Sequence, residues 1–259
     1  MPGIVTVLSD FGTSDGFVAA MKGVVLSIAP DAKIVDATHD IAPGDVEAAA
    51  FVLSQYWQLY PAGAVHLAVV DPGVGSGRRA LAVEADGRYL AAPDNGLLTR
   101  VLADSDAWCA FEITEPRYTR PDPSSTFHGR DIFAPAAAHL AAGVDPSALG
   151  PAVKEPVTLP IEPPSRDETT LQGRVAHIDR FGNLISDLPG DWVEGDWRFE
   201  VRGREVGALR RTYADVATGE LVTVIGSLGT VEVAVRDGSA AKRIGAARGD
   251  PVIGRLIPG

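Results

Sequence analysis

Eighteen residues near the middle of this chain restrict its architecture more than any others. PAVKEPVTLPIEPPSRDE, residues 151–168, carries five prolines. Proline lacks the N–H that a helix interior or central strand needs, and it biases the residue before it toward extended backbone. The stretch therefore predicts a linker without a regular element of its own. The hydrophobic pattern differs in kind on its two sides. Residues 1–150 alternate strand-like apolar runs with segments of helical period, whereas residues 169–259 show only short strand patterns. The expectation is a Rossmann-like α/β domain with a largely parallel sheet over 1–150, a linker over 151–168, and a smaller all-β barrel or sandwich over 169–259.

Within the first part, GIVTVL, KIVDAT and AVHLAVV read as strands, the last apolar almost throughout, as a buried parallel strand should be. Phe17, Val18, Met21, Val24, Val25 and Ile28 recur at helical spacing over 14–28, and Val46, Ala49, Ala50, Leu53 and Trp57 do so over 44–58. ALAVEADGRYLAAP reads as a hairpin turning at Asp86-Gly87. NGLLTRVLAD and RDIFAPAAAHLAAG read as helices, the second bent at Pro135. In the last part, TLQGRVAHID, NLISDL, WRFEVRG, ELVTVIGS, TVEVAVRDG and DPVIGRL are strand patterns.

Charge and composition exclude some functions. The net charge of -11 comes without a basic stripe, which argues against a nucleic-acid partner. No apolar run approaches the ~20 residues of a membrane span. The opening MPGIVTVL reads as a strand and lacks the basic start and cleavage site of a signal peptide. The lone Cys109 rules out an internal disulfide and a cysteine-based zinc cluster, and it fits a reducing cytoplasm.

Ligands of open α/β sheets bind beyond the carboxyl ends of the strands. Five segments fall there: SDFGTSDG with Asp10 and Asp15, THDI with His39 and Asp40, DPGVGSGRR with Asp71, Arg78 and Arg79, PDNG with Asp94 and Asn95, and TFHGRD with His128, Arg130 and Asp131. Their convergence predicts a site. Asp15 reads equally as a charge that favours the helix dipole or caps the helix, or as a ligand contact. Asp94-Asn95-Gly96 reads foremost as a turn and cap. His66, inside an apolar strand, and His139, on an alanine-rich helix, read as structural; Arg79 and Arg130 read as solvated or salt-bridged. The glycines of DPGVGSG are followed by a strand rather than a helix, so they are not the dinucleotide fingerprint. They read instead as a tight loop that folds Arg78 back toward Asp71.

In this order from end to end stand SDFGTSDG, THDIAPGDVEAAA, VVDPGVGSGRR, PDNGLLT, TFHGRDIFAPAAAHLAAG, HIDRFGNLISD and IGSLGTVEVAV. Together they resemble the S-adenosylmethionine (SAM) hydroxide adenosyltransferases, or adenosine-forming SAM hydrolases, which are homologous to the SAM-dependent fluorinase and chlorinase. The resemblance implies an α/β N-terminal domain, a β-barrel C-terminal domain and a homotrimer with active sites between subunits. It implies a catalytic set of Asp71, Arg78 and His128. Asp10 would hold the ribose hydroxyls, Asp15 and Asp179 the methionine ammonium, and Ser227 its carboxylate. Asn183 and backbone groups from Val235 to Asp237 would meet adenine, and Phe127 would line the pocket. Halogenases that this chain is similar to have tyrosine at Asp71, a small hydroxyl residue at Val74, serine at Gly129, tryptophan at Gly44 and arginine at Leu228, and fluorinases carry a long insertion in the hairpin. A carboxylate at the position of Asp71 would repel halide and attract water.

The activity implied is attack of water or hydroxide on C5′ of SAM, releasing adenosine and L-methionine, with no metal or organic cofactor. Three other readings stand beside it. One is a metal-dependent hydrolase using Asp10, His39, Asp71 and His128. A second is a sensor that binds SAM or adenosine without turnover. The third is a chlorinase.

Overall fold

The run from Ala64 to Val70 is buried at every residue, because helices cover both faces of the strand it forms. The computed structural model describes residues 3–257 and divides into two units, Met1–Pro160 and Ile161–Gly259. In the first, the strands are β1 (Ile4–Ser9), β2 (Lys33–Thr38), β3 (Val65–Val69), β4 (Ala80–Ala85), β5 (Arg88–Pro93) and β6 (Trp108–Glu112). They form a six-stranded sheet in the order β2-β1-β3-β5-β4-β6. β1 is parallel to β2 and β3, and β3 to β5, whereas β4 is antiparallel to β5 and β6. Successive residues of β1 and β3 serve opposite faces. Val5, Val7, Leu67 and Val69 pack with Met21 and Val25 of α1 (Phe17–Ile28) and with Leu140 of α4 (Ala134–Ala141). Leu8 and Ala68 pack with Leu53 of α2 (Val46–Tyr56) and Val101 of α3 (Thr99–Asp104).

The hairpin turns at Asp86 and Gly87, both at positive φ (46° and 73°), the geometry of a two-residue turn between twisted strands. Elsewhere the elements depart from the sequence expectation. α1 starts at Phe17 rather than Ser14. α3 begins only at Thr99, because the Asn95 side chain accepts the Leu97 N–H and Gly96 takes a φ of 96°, which spends this stretch on a turn. The bend expected at Pro135 lies earlier: residues Gly129–Phe133 form a turn of π-helix, and Pro135 sits harmlessly in the first turn of α4. Edge strand β6, built on the short apolar run at 108–111, is absent from the sequence expectation, and its first residues Trp108 and Cys109 are exposed. The proline-rich segment hydrogen-bonds to the first unit up to Leu159. Val153 N–H donates to the Ala110 carbonyl, Val157 N–H to Asp94 Oδ1 and Leu159 N–H to Thr99 Oγ1.

The second unit contains β7 (Ser165–Arg166), β8 (Thr170–Ile178), β9 (Leu184–Pro189), β10 (Trp197–Val201), β11 (Arg204–Ala208), β12 (Leu221–Ile225), β13 (Thr230–Val235), β14 (Pro251–Leu256) and a short helix α5 (Ala240–Ile244). Its antiparallel sheet runs β11-β10-β14-β8-β9-β13-β12, with β7 on β8. Just past β11, the Arg210 N–H donates to the Thr223 carbonyl of β12 and brings the two ends together, so the sheet is nearly closed as a barrel. Leu171, Trp197, Phe199, Val201 and Val231 fill its interior. Among the described residues, no helix is long and apolar enough to cross a membrane.

His66 is a core residue. It is wholly buried on β3, its Nδ1 is 2.8 Å from Thr6 Oγ1, and burial, aided by the Arg88 charge, pushes its pKa down to about 4. The unfolded chain takes up this proton near pH 6.5. The neutral ring's contribution is therefore complete above that value and lost as pH falls toward 4. Denaturant unfolding from about pH 7 to about pH 4 should show this loss, with a shallower slope in His66→Gln.

Candidate active site

Asp71 follows β3 and Asp10 follows β1, which are neighbours in register with Ser9 opposite Val69. β2 lies on one side of β1 and β3 on the other, so the loops leaving β1 and β3 diverge at a topological switch point. The loop after β3 is closed by local bonds: Val74 N–H to the Asp71 carbonyl, Ser76 N–H to the Gly73 carbonyl, and Ser76 Oγ to the same carbonyl at 2.7 Å. Gly75 cannot be replaced without strain. Its φ is +77°, and a Cβ there would fall 2.3 Å from the Ser125 carbonyl oxygen. The glycine loop thus lies directly against the segment that leads to His128.

The loop returns Arg78 to Asp71. Arg78 Nε donates to both carboxylate oxygens, at 2.9 and 3.0 Å, and Nη2 donates to Oδ2. The two side chains are only 10% and 5% exposed, so the pair is largely desolvated. Nη2 also donates to His128 Nδ1 at 2.8 Å. Arginine has no acceptor, so Nδ1 must accept and the ring proton lies on Nε2. Burial and the Arg78 charge hold the His128 pKa below its usual value, against the opposing pull of Asp71 and Asp131. The guanidinium lies over the Phe133 ring, 5.1 Å from its centroid.

His128 opens the π-helical turn, and Gly129 within it is buried. A Cβ on Gly129 would meet Met21 Sδ at 3.0 Å and the rings of Phe11 and Phe127 at 3.3 Å. Phe127 belongs to an aromatic trio, with ring centroids 5.7 Å from Phe11 and 5.2 Å from Phe17. Asp131, only 2% exposed, holds this segment in place. It accepts Arg130 Nε at 2.6 Å and Ser124 N–H at 2.9 Å, and the bond from Arg130 does most to hold its carboxyl below the usual range. The sequence placed Asp131 near the site but gave no sign of this role, which depends on the backbone of Ser124 curling round to meet it.

The other candidates divide. Asp10 Oδ2 accepts the Gly44 N–H at 2.8 Å, and Gly44 has a φ of +74° with Pro72 beside it. Asp15 is exposed and does not cap α1; Gly16 is the cap residue and no side chain caps it, so the capping reading falls. Asp94 is structural, bonded to Arg79 Nε at 2.7 Å and to Val157 N–H. Asn95 Nδ2 donates to the Val70 carbonyl. His39 bonds Ser9 and Asp36 through its two ring nitrogens, which leaves neither for a metal. Among the described residues, no three His, Cys, Asp or Glu side chains are grouped to hold a metal ion.

In the second unit, Asp179 and Asn183 meet in one turn after β8. Asp179 Oδ1 accepts the Asn183 N–H, and Oδ2 accepts Asn183 Nδ2 at 3.0 Å. Ser227 is exposed in the turn between β12 and β13, and Val235 ends β13 with its carbonyl accepting the Gly238 N–H. Glu232 of β13, which the sequence reading passed over, is buried and accepts the Tyr213 hydroxyl at 2.6 Å.

Comparison with known proteins bears on the family and the fold. The profile of the SAM hydroxide adenosyltransferase N-terminal domain matches residues 5–150, and that of the C-terminal domain matches residues 173–253. The chain belongs to the SAM hydroxide adenosyltransferase family. It is similar to the (R)-S-adenosyl-L-methionine hydrolase of Salinispora tropica, 43% identical over 252 residues and covering 95% of each chain. It is also similar, more distantly, to a fluorinase of an Actinoplanes species, 31% identical over 71% of each chain. A crystal structure of a conserved protein from Thermotoga maritima superimposes with a TM-score of 0.92 at 34% identity, over 97% of this chain and 99% of that one.

Two outcomes test the geometry of this family member. Gly75→Ala should lower unfolding stability by about 1–3 kcal/mol, from the strained φ and the Ser125 contact together. Arg78→Ala should raise the His128 pKa, because the nearby cation leaves while Asp71 stays; imidazole NMR titration reads this directly.

Proposed function

We propose that this protein hydrolyses SAM to adenosine and L-methionine. The observation that carries the reading is the desolvated Asp71–Arg78 pair with His128 bonded to the same guanidinium, in a chain of this family. Water oxygen bonds to C5′, the C5′–S bond breaks, and its electron pair goes to sulfur. The leaving group is a neutral thioether, so no general acid is needed. The difficulty lies with the nucleophile. His128 Nδ1 is engaged by Arg78 and its Nε2 carries the proton, so the ring is poorly placed to act as the base. Asp71 retains lone-pair capacity beyond its bonds to Arg78, and it accepts the proton of the attacking water in this reading. His128 Nε2–H orients that water, and Arg78 stabilises the developing hydroxide. Partial neutralisation as hydroxide meets sulfonium favours the transition state in a dry site.

Asp10 holds the ribose hydroxyls, Asp15 and Asp179 the ammonium, Ser227 the carboxylate, and Asn183 and the backbone at Val235 the adenine. Phe127 and Gly129 shape the pocket around C5′. The contacts at Gly129 support hydrolysis over halogenation, since a serine there would press on Met21, Phe11 and Phe127. The name of the Salinispora relative specifies an (R) centre. With the amino acid fixed as L, that centre is the sulfonium, and we extend the same preference to this chain. The reading includes a cytoplasmic homotrimer with sites between subunits and no metal or organic cofactor.

The test is purified protein with separated (R) and (S) sulfonium epimers of SAM, in chloride buffer with EDTA, and chromatography for adenosine, methionine and 5′-chloro-5′-deoxyadenosine. Adenosine and methionine from the (R) epimer are expected. Chlorinated product would reverse the reading of Asp71, and activity restored only by a divalent ion would make it a metal enzyme. Asp71→Asn should lower kcat about 10²–10⁴-fold while KM stays within about threefold.

A further inference from the structure

A chain of polar groups, buried at Ser9 and His39 and exposed at Asp36, runs beside Asp10, and the reaction above does not use it. Ser9 Oγ lies 2.8 Å from His39 Nδ1, His39 Nε2 lies 3.0 Å from Asp36 Oδ1, and Lys22 Nζ lies 2.6 Å from Asp36 Oδ2. Ser9 is wholly buried and His39 is 6% exposed. The order Ser–His–Asp is that of a nucleophilic triad. The burial excludes that role, because no substrate carbon can reach a hydroxyl sealed at the end of a core strand.

The bonds point to a different task. Ser9 Oγ accepts the Phe11 N–H at 3.4 Å, and the Asp36 carboxylate can only accept, so in the neutral ring His39 Nδ1 takes the Ser9 hydroxyl proton. The imidazole then carries its proton on Nε2 and donates it to Asp36. Burial alone would raise the Asp36 carboxyl, but its bonds to Lys22 and His39 hold it below the usual range, as a charged acceptor. The main chain of His39 acts as well: its carbonyl accepts the Gly12 N–H at 2.9 Å. His39 therefore grips the residue before Asp10 through its side chain and the residue two after it through its backbone. The irregularity in pairing between Val7 and Leu8, where β2 advances one extra residue, brings His39 to this position.

We infer that His39, locked between Ser9 and Asp36, is a positioning residue that sets the Asp10 carboxylate for its ligand. The inference rests on the assignment of Asp10 to the ribose hydroxyls. It explains why a buried, hydrogen-bonded histidine stands at the strand edge that carries the site. A ligand-holding carboxylate on a loop needs such support to keep its geometry.

The experiment is steady-state kinetics with SAM on Asp10→Asn, Ser9→Ala and the Asp10→Asn/Ser9→Ala double variant, with thermal melting as a control for folding. Asp10→Asn should raise KM. Ser9→Ala should raise KM about five- to tenfold, with kcat within about threefold. In the Asp10→Asn background, Ser9→Ala should add less than about twofold, since it acts through Asp10. An equal loss in both backgrounds would show a general structural role and overturn the inference. So would an unchanged KM in Ser9→Ala while Asp10→Asn raises it. If Asp10→Asn itself leaves KM unchanged, the ribose assignment fails and the positioning role goes with it. His39→Asn and His39→Gln give an independent reading should Ser9→Ala fold poorly. Asn offers a partner where Nδ1 stood and Gln where Nε2 stood, so KM should be lower for Asn; the reverse order would also overturn the inference.

Discussion

The Asp71–Arg78 ion pair is the interaction on which the site depends. Taking two charges out of water costs several kcal/mol each, and only close, multiply bonded geometry offsets it. That geometry is present: Nε reaches both carboxylate oxygens and Nη2 reaches one of them. The second bond of Nη2 goes to His128, so one guanidinium joins the loop after β3 to the segment before α4. It also sets the imidazole tautomer. A lysine could supply the charge but not this fork, because its ammonium is a single point.

The backbone around the pair follows from this demand. Arg78 is seven residues from Asp71 and must double back to it, which a string of bulky residues would prevent. At Gly75 the requirement is doubled, by a left-handed φ and by the Ser125 carbonyl. On the other side, Asp131 ties Arg130 and the Ser124 backbone together, and the π-helical turn sets His128 at the head of its helix. The same physics of buried carboxylates serves two ends. Asp131 and Asp94 are consumed by structural bonds, whereas Asp71 carries a cation that is itself shared with a titratable ring.

These distinctions mark how far the sequence could be read. Asp71, Asp94 and Asp131 look alike as letters, each beside a strand end or helix start. The return of Arg78 over Asp71 was legible because glycine spacing speaks about the backbone. The role of His39 was not: its partners Ser9 and Asp36 lie 30 and 3 residues away, and only the pairing of β1 with β2 unites them. Asp179 and Asn183, assigned to different parts of a ligand, prove to bond one another across a tight turn, which four residues of separation permit but do not announce.

Local sequence was sufficient wherever a single element sets the outcome. The fully apolar β3, the helical period of α1 and α2 and the Asp86-Gly87 turn are properties of neighbouring residues, and period and turn chemistry act at short range. Tertiary structure decided the rest. It set the late starts of α1 and α3, the unforeseen edge strand β6, and the attachment of the proline-rich segment to the first unit. It also decided which carboxylates are consumed by structure and which ring nitrogens remain free. The physical reason is common to these cases. A buried polar group takes whichever partner the packed chain brings to it, and that choice is made by residues tens of positions away.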